Sequence, residues 1–311
     1  MTAAPPTGGK RLGEELPATG FLLLAGLTLF WGANWPAMKF ALDALPVWTF
    51  RSLCLVGGGL GLLLLARLGG RSLRVPERER APLALVALFN VVGWHLCSGY
   101  GVSLLPASRA VIVAFTMPLW AALFSRAILG EPLTRAKLAG LALGLAALAV
   151  LIGPDLKALG RVPLGAVMML GAALSWAAGT VLIKRFTWTI GSATLAGWQL
   201  LLGALPLVPG ALLIDGLPEA ASFTTPVLLA IAYVLLLPMI FCQWAYIQLV
   251  RIFPAGVAAI GTLAIPAVGV FSSALILGEA LGLREFLALG LVCAALSVVL
   301  LPSAFKAAPR G

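Results

Sequence analysis

The phrase at 128–133, ILGEPL, returns at 276–281 as ILGEAL, with five of six positions matching across an offset of 148 residues. At the same offset Pro106 and Ala107 meet Pro254 and Ala255, Pro118 meets Pro266, Ser125 meets Ser273, and AALAV at 146–150 faces AALSV at 294–298. An offset of 145 pairs Trp31 with Trp176 and Lys39 with Lys184, and a three-residue insertion reconciles the two offsets. A self-similarity of this extent means that one unit is written twice, so the fold must be assembled from two like halves.

Each half is written for lipid. Charged residues are 10% of the chain against 61% hydrophobic, with mean hydropathy +1.06. Soluble domains carry roughly 25% charged residues, and so few charges cannot cover a surface in water. Stretches near the ~20 residues that span a bilayer recur over 19–41, 45–66, 82–104, 106–129, 136–153, 164–184, 193–213, 226–250, 255–277 and 283–301. The expectation is an all-α polytopic membrane protein of ten transmembrane helices. Its first five-helix repeat runs over 19–153 and its second, inverted repeat over 164–301, between cytoplasmic tails at 1–18 and 302–311. The first 18 residues are polar and lack the apolar core of a signal peptide.

Five spans per half is an odd number, so the second half enters the membrane from the opposite side. Glu131 and its twin Glu279 then lie on opposite faces. Inverted repeats of this kind are the architecture of secondary transporters, whose substrate site sits near midplane between the halves.

The net charge of +10 raises nucleic acid as a partner only until the cations are located. With a cytoplasmic N-terminus, fifteen fall on that side: Lys10, Arg11, Arg67, Arg71, Arg74, Arg78, Arg80, Arg126, Arg135, Lys137, Lys184, Arg185, Arg251, Lys306 and Arg310. Four fall outside (Arg109, Lys157, Arg161 and Arg284), and Lys39 and Arg51 lie within spans. The positive-inside rule therefore puts both termini in the cytoplasm and leaves no nucleic-acid role. Cys54, Cys97, Cys242 and Cys293 all fall inside spans as small hydrophobes, without metal-ligand spacing. No cofactor and no metal are expected.

Several stretches carry a resemblance. LFWGANWPAMK in the first span, FRSLCL opening the second, and PASRAVIVAFTMPLWAALFSRAILGEPL through the fourth with its twin in the ninth resemble the drug/metabolite transporter superfamily, in its ten-helix EamA type. Within it, the chain looks most like the bacterial exporters of aromatic and neutral amino acids, the YddG type. The resemblance implies a multi-pass protein of the bacterial inner membrane that binds a small-molecule substrate and the lipid bilayer, acting as a monomer.

The eleven acids, Glu14, Glu15, Asp43, Glu77, Glu79, Glu131, Asp155, Asp215, Glu219, Glu279 and Glu285, all sit in tails, loops or helix ends. Proton relays inside membranes are typically built from Asp, Glu or His, and small multidrug relatives of the superfamily rely on an embedded Glu. Lipophilic-cation antiport and carboxylate-coupled proton exchange are therefore disfavoured.

His95, the only histidine, lies mid-span, and its twin is Gln243; Ser98 meets Tyr246, and i, i+3 spacing puts each pair on one helical face. These pairs either line one cavity or hold the bundle by interhelical hydrogen bonds. Asn34, one turn beyond Trp31, bonds a neighbouring helix or a substrate. Trp31, Trp176 and Tyr100 are candidates for stacking on apolar cargo. Lys39 and Arg51 face each other across the first external loop, and either snorkel to the interface or attract a carboxylate or close a gate with Asp43. Pro118 and Pro266 should kink equivalent spans as hinges. The spacings Gly57-xxx-Gly61 and Gly140-xxx-Gly144 suit close packing within the chain.

The expected function is export of aromatic and other neutral amino acids, or similar small metabolites, by alternating access, facilitated down the substrate gradient. The alternatives are a proton-coupled metabolite or drug exporter using His95, and a sugar-phosphate or nucleotide-sugar exchanger, which would need more cations than Lys39 and Arg51. An enzyme would need a nucleophile with a base, or several metal ligands, and the spans hold neither.

Overall fold

A computed structural model describes residues 18–153, 161–246 and 255–306. Lys10, Arg11, Lys157, Arg251, Arg310 and Pro254 fall outside the described residues. The described chain is all-helical. The ten helices are α1 (Ala18–Ala44), α2 (Val47–Leu68), α3 (Glu77–Leu104), α4 (Ala107–Leu129), α5 (Arg135–Ile152), α6 (Arg161–Arg185), α7 (Ser192–Asp215), α8 (Thr225–Tyr246), α9 (Ala255–Leu277) and α10 (Leu283–Lys306). Eight of them, α1 through α8, contain stretches long and apolar enough to cross a bilayer, and Leu263–Leu277 of α9 is a shorter apolar helix.

The repeated phrase has a local cause. Gly130 ends α4 at φ 72° and Gly278 follows α9 at φ 68°, a left-handed conformation that a side chain would strain. The Gly130 and Glu131 amides turn back onto the helix, both donating to the Ser125 carbonyl. The glutamate that follows is thereby delivered to the rim of the bundle in both halves.

Packing repeats along with sequence. α1 packs on α9 as α6 packs on α4, and α3 packs on α6 as α8 packs on α1. The pairs α2–α7, α5–α10 and α4–α9 join equivalent helices of the two halves. At the α2–α7 crossing a Cβ on Gly59 would stand 3.1 Å from the Gly197 carbonyl oxygen, so the two backbones meet directly. The glycine pairs read from sequence face neighbours within the chain: Gly57 and Gly61 meet Leu235 and Ile240 of α8, and Gly144 meets Leu119 of α4.

The two halves are inverted. At one end of the bundle the Thr49 N–H and hydroxyl donate to Asp215 (2.8 and 2.9 Å), and Glu279 meets the start of α4. At the other end Glu131 meets Lys184, and Trp198 Nε1 donates to the Leu73 carbonyl (2.8 Å). Twin residues thus occupy opposite ends, as an odd number of spans per half requires.

Two helices are irregular in matching places. α3 is π-helical over Leu88–Gly93 and α8 over Leu235–Phe241, the same place in the repeat at the offset of 148. The prolines differ. α4 is interrupted at Phe115 and Thr116, and Pro118 sits in the first turn of the piece that follows, where its missing N–H has no helical role. The kink expected at Pro118 is therefore a break just before it, whereas Pro266 lies inside a continuous α9.

Candidate functional site

The π-segments loosen backbone carbonyls, and both are taken by α1 or its twin. Ser175 Oγ on α6 donates to the Phe89 carbonyl (2.7 Å), and Trp31 Nε1 on α1 donates to the Pro238 carbonyl (3.2 Å). Ser175 neighbours Trp176, the twin of Trp31, so the two halves solve the same problem at adjacent positions.

The helical turn after the α3 π-segment carries the polar residues. His95 is 7% exposed, Ser98 fully buried, and Arg51 of α2 5% exposed. Arg51 Nη2 donates to Ser98 Oγ (2.8 Å), and that hydroxyl reaches back to the His95 carbonyl at 3.5 Å. A Cβ on Gly99 would lie 2.5 Å from Val47 Cγ1 and 3.3 Å from Arg51 Nε, so α3 and the start of α2 approach closely here. Arg51 Nε and both imidazole nitrogens of His95 are buried without a hydrogen-bond partner, as is Asn34 Oδ1. Buried polar groups are normally satisfied, and with Ser52 Oγ, Glu79 Oε2 and Asn90 Oδ1 seven such atoms lie on α1, α2 and α3 among the described residues.

Aromatic pairs link α3 to α6 and α1 to α8. Trp94 and Trp176 stand 5.0 Å apart between centroids, Trp31 and Tyr246 6.0 Å. Tyr100 accepts a hydrogen bond on its hydroxyl from Trp48 Nε1 at 2.8 Å.

At the rims, the twin glutamates hold different partners. Glu279 accepts the N–H groups of Ala107 (2.6 Å) and Ser108 (2.9 Å) at the start of α4, and beside it Arg109 pairs with Glu285 (2.8 Å). Glu131 instead pairs with Lys184 and with Lys137 (3.3 Å). Lys184 holds the Glu131 carboxylate well enough to keep its pKa below the usual range, with Lys137 adding to the effect. Lys39, the twin of Lys184, is bound to Asp43 (3.2 Å) and the Ser103 carbonyl (3.0 Å), not to Glu279.

The profile of the EamA-like transporter family matches residues 18–153 and 163–301. The chain belongs to the EamA-like transporter family. Its duplicated match follows the duplication read from the chain itself. YedA of Escherichia coli K12, an inner membrane transporter, is 28% identical over 94% of this chain and 93% of its own length. YvbV of Bacillus subtilis, a transporter, is 36% identical over 55% of this chain. The aromatic amino acid exporter YddG of Ancylobacter novellus is 31% identical over 54%. The chain spans about half the length of these last two, 56% of each. A solved crystal structure shares the fold, with a TM-score of 0.65 over 93% of this chain and 98% of that one at 21% identity. The chain's family is one of transporters, and eight of its helices are long and apolar enough to cross a membrane.

Within this EamA fold the residues singled out from sequence fall into separate places. Arg51, His95 and Ser98 form one group, with Tyr100 on the same helix. Trp31 and Tyr246 form another, and Tyr246 is 41% exposed. Gln243 is half-buried one turn from Tyr246. Lys39 and Arg51 do not face each other: Arg51 is buried and donates to Ser98, and neither snorkels nor meets Asp43. Two surface clefts, of about 780 Å³ around Arg71, Ser72, Arg74 and Thr189 and about 500 Å³ around Val56, Trp198 and Leu205, are lined by none of the expected site residues. Sequence reading passed over Ser175 and Gly99. Each does its work beside a helix partner that only the packing reveals.

Proposed function

We propose that the chain is a carrier that exports aromatic and other neutral amino acids across the bacterial inner membrane by alternating access between its halves, with both termini cytoplasmic. The observation that carries this reading is the unequal engagement of two equivalent carboxylates. Glu279 is latched onto the start of α4 at the external rim, while Glu131 at the cytoplasmic rim is held by lysines. Exchanging those roles between the halves opens the outside and closes the inside without new chemistry. The break in α4 against a continuous α9 is the same inequality written in backbone.

The cargo is argued from its needs. A zwitterionic amino acid carries no net charge, but burying its two ionic ends unaided is very costly. The open polar positions of Arg51, His95 and Asn34 replace water for those ends, and the paired tryptophans suit an apolar or aromatic side chain. The likeness to the aromatic amino acid exporter YddG supports the same cargo. The acids of the described spans lie at their ends, so movement follows the substrate gradient and runs outward from a cell that makes amino acids.

A second reading, proton exchange through His95, is favoured by its two unpartnered nitrogens. Liposomes loaded with labelled phenylalanine separate the two. Efflux that survives collapse of a pH gradient supports facilitation, and a strict requirement for the gradient supports the histidine reading. An absence of efflux under both conditions, with efflux of other small metabolites, removes amino acids as the cargo.

A further inference from the structure

Of the groups set above against the cargo's ionic ends, Arg51 is the one that carries a permanent charge. It lies five residues into α2, 95% buried in a membrane-spanning helix, with one hydrogen bond to Ser98 and its Nε–H open. Among the described residues no Asp or Glu comes within ion-pair distance of it. Asp215, at the same end of the bundle, is spent on the Thr49 amide and hydroxyl. The Phe50 ring lies 5.6 Å from the guanidinium carbon, and the Cys54 thiol and His95 imidazole are also near the charge.

A guanidinium keeps its proton in proteins, so it cannot escape burial by becoming neutral. Leaving such a charge without a counter-ion is strongly destabilising, and a chain that keeps one has a use for it. The planar fork of N–H donors matches the paired oxygens of a carboxylate, as it does those of a phosphate, and the apolar and aromatic surroundings favour the singly charged carboxylate. Ser98 fixes the fork from one side, and Gly99 lets α3 approach the start of α2 closely, against Val47 first and Arg51 beside it.

We propose that Arg51 is the carboxylate anchor of the transport path: a monocarboxylate entering between α2 and α3 becomes its missing counter-ion. Ser98 is the positioning residue that aims the guanidinium. This rests on the transporter reading above but not on the cargo being an amino acid, since any small organic acid with an apolar tail meets the same requirement.

The test uses the purified full chain and three probes of like shape: phenylalanine, 3-phenylpropionate and phenethylamine, the last without a carboxylate. Binding is followed by tryptophan fluorescence in the wild type, Arg51→Met and Arg51→Lys, with melting curves to establish folding. The wild type should bind the two carboxylates at least about tenfold more tightly than phenethylamine. Arg51→Met should lose that preference and leave phenethylamine unchanged, and Arg51→Lys should keep part of it. Should neither variant fold, Ser98→Ala should weaken the carboxylates alone by several-fold. A wild type that does not discriminate, or a folded variant that still prefers carboxylates, overturns the proposal. Phenylalanine efflux from liposomes keeps the two readings apart. Efflux that Arg51→Met leaves intact sinks the anchor and spares the exporter. Binding of 3-phenylpropionate lost in Arg51→Met, with no phenylalanine efflux, does the reverse.

Discussion

Glu279 accepts the backbone N–H of Ala107 at 2.6 Å across 172 residues of chain, tying the α9–α10 turn to the first turn of α4. With Ser108 donating to its second oxygen, the carboxylate meets the positive end of a helix through two bonds. A charge placed there is favoured by up to about 2 kcal/mol. This is the strength expected of a latch that must open in every cycle.

Glu279→Gln keeps the size and removes the charge, and should shift the population toward the state open at this rim. The turn beneath it holds Leu105, which is 3% exposed. In a Leu105→Cys background, labelling by a membrane-impermeant maleimide should rise up to about tenfold with Glu279→Gln, the factor that ~1.4 kcal/mol supplies. Glu131→Gln, acting at the opposite rim, should leave Leu105→Cys labelling unchanged or reduced. Equal labelling in all three proteins would remove Glu279 from gating.

Glu131 titrates below the ordinary carboxylate value of 4.5, first because of its hydrogen bond to Lys184 and then through Lys137. A depressed carboxylate stabilises the fold fully above that ordinary value, and the contribution fades as pH falls through the folded pKa beneath it. Melting temperature should therefore decline more steeply on the acid side of 4.5 in the wild type than in Glu131→Gln. Above that range the two profiles should run parallel, with the wild type higher. Profiles that coincide throughout would show that the lysines do not hold this carboxylate in solution.

Gly130 and Gly278 have open space where a Cβ would go, so alanine there meets strain and no clash. Gly130→Ala and Gly278→Ala should each cost about 1–2 kcal/mol. Gly290 in α10 also has open surroundings but helical backbone, and Gly290→Ala should be neutral or stabilising by up to about 1 kcal/mol. Thermal melts of the three variants decide it. Similar behaviour at all three positions would mean that the repeated phrase is not there for its turn.

His95→Gln writes into α3 the residue that α8 carries at the twin position, Gln243. If movement is facilitated, phenylalanine efflux should retain most of the wild-type rate and its pH profile. Loss of efflux, with melting unchanged, would make the imidazole part of the transport cycle.

The spans, the duplication and the inversion were legible in the chain because lipid demands long apolar runs and because twin motifs keep their spacing. Side-chain facing was not. Periodicity reveals a buried face only when the opposite face is polar, and here the lipid side is as apolar as the core. Leu213 and Leu275, 86% and 85% exposed, read no differently from Leu55 and Leu207, which are fully buried. Arg51 shows the same limit: one turn inside a helix end, an arginine reaches equally well toward the interface or the bundle. The partner that holds it inward, Ser98, is on a different helix. Pro118 read as a kink because the sequence does not say that the helix has already broken one turn earlier.

The π-segments of α3 and α8 are joints as well as irregularities. Each accommodates about one residue more than α-helical winding would hold over the same length. Absorbing that residue elsewhere along the helix turns everything beyond it by about 100° and advances it about 1.5 Å. The stretch beyond the first joint carries His95 and Ser98, and the stretch beyond the second carries Gln243 and Tyr246. In each half the polar side chains thus lie beyond a segment whose rewinding would turn them through more than a quarter of a circle. Ser175 and Trp31, clasping the loosened carbonyls, oppose such rewinding.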